Sequence, residues 1–171
     1  MLSEKLLNTL NEQLKHELYA AHLYMSMAGY CAGADLDGCS NFFLAQADEE
    51  RFHAMKIFHF INVKDGAIKF DSLENPHTSY DSVLDVFEKA LEHEKFVTSK
   101  IYDLMAIATD EREYATISFL NWFVDEQVEE EATFSALVYK FKAAMKDESV
   151  LFMLDTELGQ RVFGPTAEEE V

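Results

Sequence analysis

Cysteine, proline, glycine and basic residues are all scarce in this chain, and each scarcity removes a class of protein. Two prolines and six glycines in 171 residues leave too few turn formers for an all-β fold and suit long helices. Two cysteines, Cys31 and Cys39, supply neither a disulfide framework nor a structural zinc site. Free, reduced thiols are the better reading of this pair, and a disulfide across the glycine-containing turn between them is the alternative. Lysine and arginine total 14 against 32 acidic residues, a net charge of −18. That balance repels nucleic acid and anionic membranes and attracts cations. No apolar run approaches ~20 residues, and the start at Met1-Leu-Ser-Glu-Lys lacks the apolar stretch of a signal peptide. The expectation is a soluble cytoplasmic protein, a single domain over residues 1–171, that binds neither nucleic acid nor membrane.

Apolar residues, by contrast, are abundant, at 49%, and they recur at steps of three and four in four stripes. The stripes read Leu7, Leu10, Leu14, Glu17, Ala21, Tyr24, Ala28; then Phe43, Ala47, Glu50, Ala54, Ile57, Ile61; then Leu84, Phe87, Leu91, Glu94, Thr98, Ile101, Met105; and last Leu120, Phe123, Gln127, Glu130, Phe134, Leu137, Phe141. Such steps stay on one helix face, so each stripe is a buried seam. Every seam is broken near its middle by an ionisable or amide side chain. Burying an unpaired carboxylate costs several kcal/mol or forces it to keep its proton. Repetition of that cost in four helices at similar depth points to bound cations.

The spacing predicts helices over about Glu4–Cys31, with Ser3 as N-cap, then Ser40–Lys64, Ser82–Ala108, a fourth ending near Lys146, and a short one over Ser149–Leu158. Asp65-Gly66 closes the second helix, Asp110-Glu-Arg-Glu113 reads as a capping box opening the fourth, and Gly159 stops the fifth. The stretch from Ala67 to about Tyr80 contains Pro76 and has no helical period. Its ~14 residues can span ~45 Å when extended, against ~38 Å for a helix of ~25 residues. It can therefore cross the whole bundle and leave the second and third helices parallel. The predicted fold is all-α: a four-helix bundle with one long crossover and a short fifth helix, followed by an acidic tail at 165–171 that is expected to be disordered.

Glu50 and His53 form Glu-x-x-His on one helix face, and Glu17 and Glu94 come singly from two other helices. Di-metal carboxylate bundles use one Glu from each of two helices and Glu-x-x-His from each of the other two. Here the second motif is Gln127-x-x-Glu130, with Gln for Glu and Glu for His. Oxygen donors with one imidazole suit Fe(II), Mn(II) or Zn(II), and four ionised glutamates match the charge of two divalent ions. Tyr24 lies on the same face as Glu17. It has two open readings: a core tyrosine hydrogen-bonded to a carboxylate, or a group that gives up an electron and a proton beside the metals. Trp122 reads as packing. Glu126, Glu129 and Glu130 lie on adjoining turns of the fourth helix, Glu49 shares the side of the second helix next to the site, and together they suggest a third, more exposed cation position.

His16-Glu17-Leu-Tyr19, Glu49-Glu50-x-x-His53, His93-Glu94 and Glu126-Gln127-x-Glu129-Glu130 resemble the non-haem ferritins of bacterial type, from about Leu6 to Leu158. The resemblance implies a ferritin-like fold, a homo-oligomeric hollow shell of 24 subunits, and oxidation of Fe(II) by O2 followed by storage of ferric mineral. It implies one iron held by Glu17, Glu50 and His53 and a second by Glu50, Glu94 and Glu130. Glu50 would bridge the two and Gln127 would hydrogen-bond nearby. A third iron would fall at Glu49, Glu126, Glu129 and Glu130. Arg51 stands where bacterioferritins carry a haem-ligating Met, so no haem is expected. Ile117 and Leu120 stand where animal-type ferritins place the acidic residues of a three-fold channel. A di-iron oxidase or peroxidase without storage is the alternative function.

Overall fold

The structure, a computed structural model, describes residues 2–164; the predicted acidic tail at 165–171 lies outside the described residues. Five helices follow one another: α1 (Glu4–Gly33), α2 (Asp37–Val63), α3 (Val83–Asp110), α4 (Tyr114–Ala144) and α5 (Glu148–Leu158). Ser3 caps α1 by accepting from Leu6 N, and Ser82 caps α3 by accepting from Asp85 N, each satisfying an amide that has no partner inside its helix. Asp65 takes the left-handed conformation, with φ of 54°, that lets the chain leave α2. Gly66 follows because a Cβ there would lie 2.7 Å from Leu7 Cδ1.

Two helix starts differ from the sequence reading. α3 continues through Asp110, and the N-cap of α4 is Glu113, whose carboxylate accepts from Thr116 N at 2.7 Å. The predicted capping box is thus shifted by one turn. α2 begins at Asp37, three residues before the predicted Ser40, and no side chain of its own N-terminus caps it. Asp155 of α5 does so instead, accepting from Gly38 N at 3.1 Å and Cys39 N at 2.7 Å. Cys31 and Cys39 are free and buried.

Chain direction follows from which ends of the helices share a core. One apolar cluster joins Leu6, Leu10 and Leu14 of α1 to Ile57 and Ile61 of α2, Ile101 and Leu104 of α3, and Leu120 and Phe123 of α4. The other joins Tyr24 and Met27 of α1 to Phe42 and Phe43, Phe87, and Phe134 and Phe141. α1 and α4 therefore run one way and α2 and α3 the other, so α2 and α3 are parallel, as the long connection predicts. That connection lies along α1. Asn11 Nδ2 donates to Ala67 O at 3.1 Å, Asn11 Oδ1 accepts from Lys69 N at 2.7 Å, and Ser26 Oγ donates to His77 O at 2.7 Å. Among the described residues no helix is long and apolar enough to cross a membrane.

Candidate metal centre

Between the two apolar clusters lies a layer of buried polar side chains. Glu17, Glu50, His53, Glu94, Gln127 and Glu130 are all at most 5% exposed. They come from α1, α2, α3 and α4, because each seam break falls at the height where one cluster gives way to the other. Glu17, Glu50 and His53 offer ligand atoms within 4.8 Å of one another. His53 Nδ1 is 3.3 Å from Glu50 Oε2 and 4.0 Å from Glu17 Oε2. Glu17 Oε2 is buried and has no hydrogen-bond partner among the described residues. A buried carboxylate oxygen left unpaired beside an imidazole nitrogen suits a divalent cation.

The other carboxylates are held by neutral donors. Tyr24 Oη donates to Glu94 Oε1, and Gln127 Nε2 donates to Glu94 Oε2 at 3.1 Å. Tyr24 is fully buried against Phe43 and Phe134, whose ring centroids are each 5.8 Å from its own. Two further glutamines, which the seam pattern did not single out, complete the layer. Gln13 Nε2 donates to Glu17 Oε1 at 2.8 Å, and Gln46 Nε2 reaches both oxygens of Glu130. Each lies four residues before a seam glutamate, and that spacing is the signal by which sequence could have found them.

Burial governs the charge state. It raises the Glu50 carboxyl well above its ordinary value, and repulsion from Glu94, Glu17 and Glu130 adds to the rise. Glu94 is pushed up to about 7, mainly by burial and against the hydrogen bonds from Tyr24 and Gln127. Glu130 is raised by burial, Glu94 and Glu49, while Gln46 and Arg161 oppose the shift. Burial also raises Tyr24, with Glu94 next in effect. Carboxylates that crowd one another this closely bind protons or metal ions in place of the missing counter-charge.

The residues read as a third cation position are only partly gathered. Glu49 and Glu126 meet His53, with ligand atoms within 4.8 Å. Glu129, on the solvent side of α4, is exposed and outside that trio. Trp122 packs edge-on against the His53 ring at 5.3 Å.

A profile for the ferritin family, described as a ferritin-like domain, matches residues 7–144. The chain belongs to the ferritin family. It is 45% identical over 163 residues to a bacterial non-heme ferritin of Staphylococcus aureus (strain MRSA252), covering 95% of this chain and 98% of that one. The bacterial non-heme ferritin of Staphylococcus haemolyticus (strain JCSC1435) is likewise 45% identical over 163 residues, with the same coverage. Among solved structures, a ferritin of Archaeoglobus fulgidus engineered into a closed form superposes with a TM-score of 0.94 at 42% identity. That match covers 96% of this chain and all of the other. The open-pore ferritin of the same archaeon gives a TM-score of 0.93 at 42% identity, covering 94% and 99%. The helix order and the long crossover of this ferritin are thus those that its seams and its Pro76 segment predict.

Proposed function

We propose that this ferritin takes up Fe(II) as substrate at Glu17, Glu50, His53, Glu94 and Glu130, oxidises it with O2, and stores the ferric product inside a shell of its own copies. Storage of iron is the function of the family; the oxidation centre, its residues and the 24-subunit shell are our reading for this chain. One observation carries it: a buried layer contributed by four helices, in which Glu17 Oε2 has no hydrogen-bond partner among the described residues and lies 4.0 Å from His53 Nδ1.

The roles follow from the hydrogen bonds. Glu50 lies between the Glu17–His53 side of the layer and Glu94 and Glu130, both of which repel its charge, so it is the residue to bridge two ions. Gln13, Gln46, Gln127 and Tyr24 fix the remaining carboxylates without adding charge. Fixed ligands hold their geometry as the ion changes oxidation state. Two Fe(II) ions lose one electron each, and O2 takes up both electrons with two protons, reaching the level of hydrogen peroxide. The phenylalanines on one side and the aliphatic cluster on the other keep the layer dry, which strengthens every charge interaction inside it.

Stopped-flow oxidation of Fe(II) tests the centre. Glu50→Ala and His53→Ala should each abolish the rapid phase, and wild-type rates in either variant would overturn the assignment. Zn²⁺, which takes the same donors more tightly and has no second accessible oxidation state, should inhibit when added first at about two ions per subunit. Negative-stain images should show hollow spheres; a small soluble oligomer would instead favour an oxidase without storage.

A further inference from the structure

We propose that Arg161 is a built-in occupant of the third cation position, a tethered guanidinium that a third metal ion must displace from Glu49. The inference rests on the function proposed above and adds a control to it. Arg161 Nη2 lies 2.7 Å from Glu49 Oε2. Glu49 is one of the trio, with His53 and Glu126, whose ligand atoms converge within 4.8 Å. The positive charge is felt at Glu130 as well, where Arg161 opposes the effect of burial.

The placement is built by the fold. Asp155 fastens α5 to the start of α2, and past α5 the chain turns back along α2. There Asn41 Nδ2 donates to Gly159 O at 3.3 Å and to Arg161 O at 2.8 Å. The guanidinium carbon sits 5.3 Å from the centre of the Phe42 ring, within reach of a cation–π attraction. Phe163 then packs on Phe52 at 5.8 Å. Arg161 Nε is buried without a hydrogen-bond partner among the described residues, so Glu49 and the Phe42 ring hold the head group in place. These contacts hold the positive charge against a glutamate 112 positions earlier.

A guanidinium keeps its charge at every accessible pH, and a tethered one needs no concentration in solution. A divalent ion approaching Glu49 must break a charge-assisted hydrogen bond or bind with one carboxylate oxygen fewer. The buried ligand set at the centre of the layer meets no such competitor at Glu17. The buried positions therefore fill first, and the outer one fills only when metal is in excess and the arginine swings out. Its side chain is 33% exposed, which leaves it a path into solvent. In the empty protein the same arginine neutralises part of the acidic cluster and so stands in for the missing ion.

Calorimetric titration of the metal-free assembled protein with Zn²⁺ tests this in wild type, Arg161→Gln, Glu49→Gln, the double variant and Glu50→Ala. Wild type should show two tight sites per subunit and a weaker third. Arg161→Gln should keep both tight sites, with a smaller change there through Glu130, and tighten the third about tenfold, the size expected for loss of one charge-assisted competitor. The double variant should lose that gain, because the carboxylate that the arginine guards is gone. A third site of wild-type affinity in Arg161→Gln, or a gain that survives in the double variant, would overturn the inference and leave the centre standing. Retention of both tight sites in Glu50→Ala would overturn the proposed function and this inference with it.

Discussion

Gln46 Nε2 lies 3.1 Å from one oxygen of Glu130 and 3.3 Å from the other, so a single amide on α2 spans a carboxylate on α4. The bond is buried, and it stops the Glu130 side chain from turning away from the layer. Gln46→Leu keeps the volume and removes the donor. Zinc affinity at one of the two tight sites should fall by about 10–100-fold, the usual cost of losing a group that orients a ligand, with helicity unchanged. Wild-type affinity by calorimetric titration would show that Glu130 needs no such support.

Tyr24 and Glu94 give a prediction whose size depends on the metal. Tyr24→Phe leaves Glu94 Oε1 buried without its donor, a loss of about 1–3 kcal/mol in the empty protein. A cation on Glu94 supplies what the hydroxyl supplied. The drop in melting temperature should therefore be several degrees without metal and much smaller with zinc bound. Equal drops in both states would separate Tyr24 from the metal ligands.

Gly38 is where α5 meets α2. A Cβ there would lie 1.7 Å from Asp155 O, a backbone atom that cannot step aside. Gly38→Ala should loosen α5 by about 2–3 kcal/mol and Asp155→Ala by about 1 kcal/mol, through loss of the cap. Hydrogen exchange of the α5 amides should accelerate in that order while the α1–α4 amides hold. Uniform acceleration along the chain would mean that α5 is no separate unit.

The Lys64–Glu113 pair ties the end of α2 to the start of α4 at 2.9 Å. Hydrogen bonds from Lys64 and then from Thr116 hold the Glu113 carboxyl down at about 2. A depressed carboxyl stabilises the fold above its unfolded value, near 4.5, and loses that contribution as pH falls from there through about 2. Glu113→Ala should lower the melting temperature by about 2–4 °C at neutral pH, for a cap worth about 1 kcal/mol. The gap to wild type should stay level down to pH near 4.5 and close toward pH 2. A gap that widens on acidification would have the wrong sign for this pair.

Local pattern made the four long helices and the buried glutamates legible, because seam spacing repeats every three or four residues and Glu17, Glu50, Glu94 and Glu130 break it in place. Parallel α2 and α3 were readable from connection length alone. The cap on α2 was not, since Asp155 reaches Gly38 from 117 positions away and leaves no trace in the local sequence. For the same reason Arg161 carried no signal: its meaning depends on the turn that lays it over Phe42 and Glu49. Gln46 stands between these cases. It lies four residues before Glu50, but its partner Glu130 is on another helix, and only packing reveals the pairing.

The polar layer divides the interior into two stacked hydrophobic compartments, and with the proposed centre this would tie the life span of the polypeptide to its metal. Empty, the middle of the bundle is a seam of weakness where acids repel one another and protons fill in. A cation held between Glu17 on α1 and His53 on α2 rivets helices across that seam, and its binding free energy adds to folding by mass action, about 2.7 kcal/mol at a hundredfold excess over its dissociation constant. Transient opening, the state that a protease captures, then becomes about a hundredfold rarer. A cell short of iron would hold the form that is easiest to degrade, and one rich in iron the form that persists, so protein abundance would follow metal supply without any dedicated sensor.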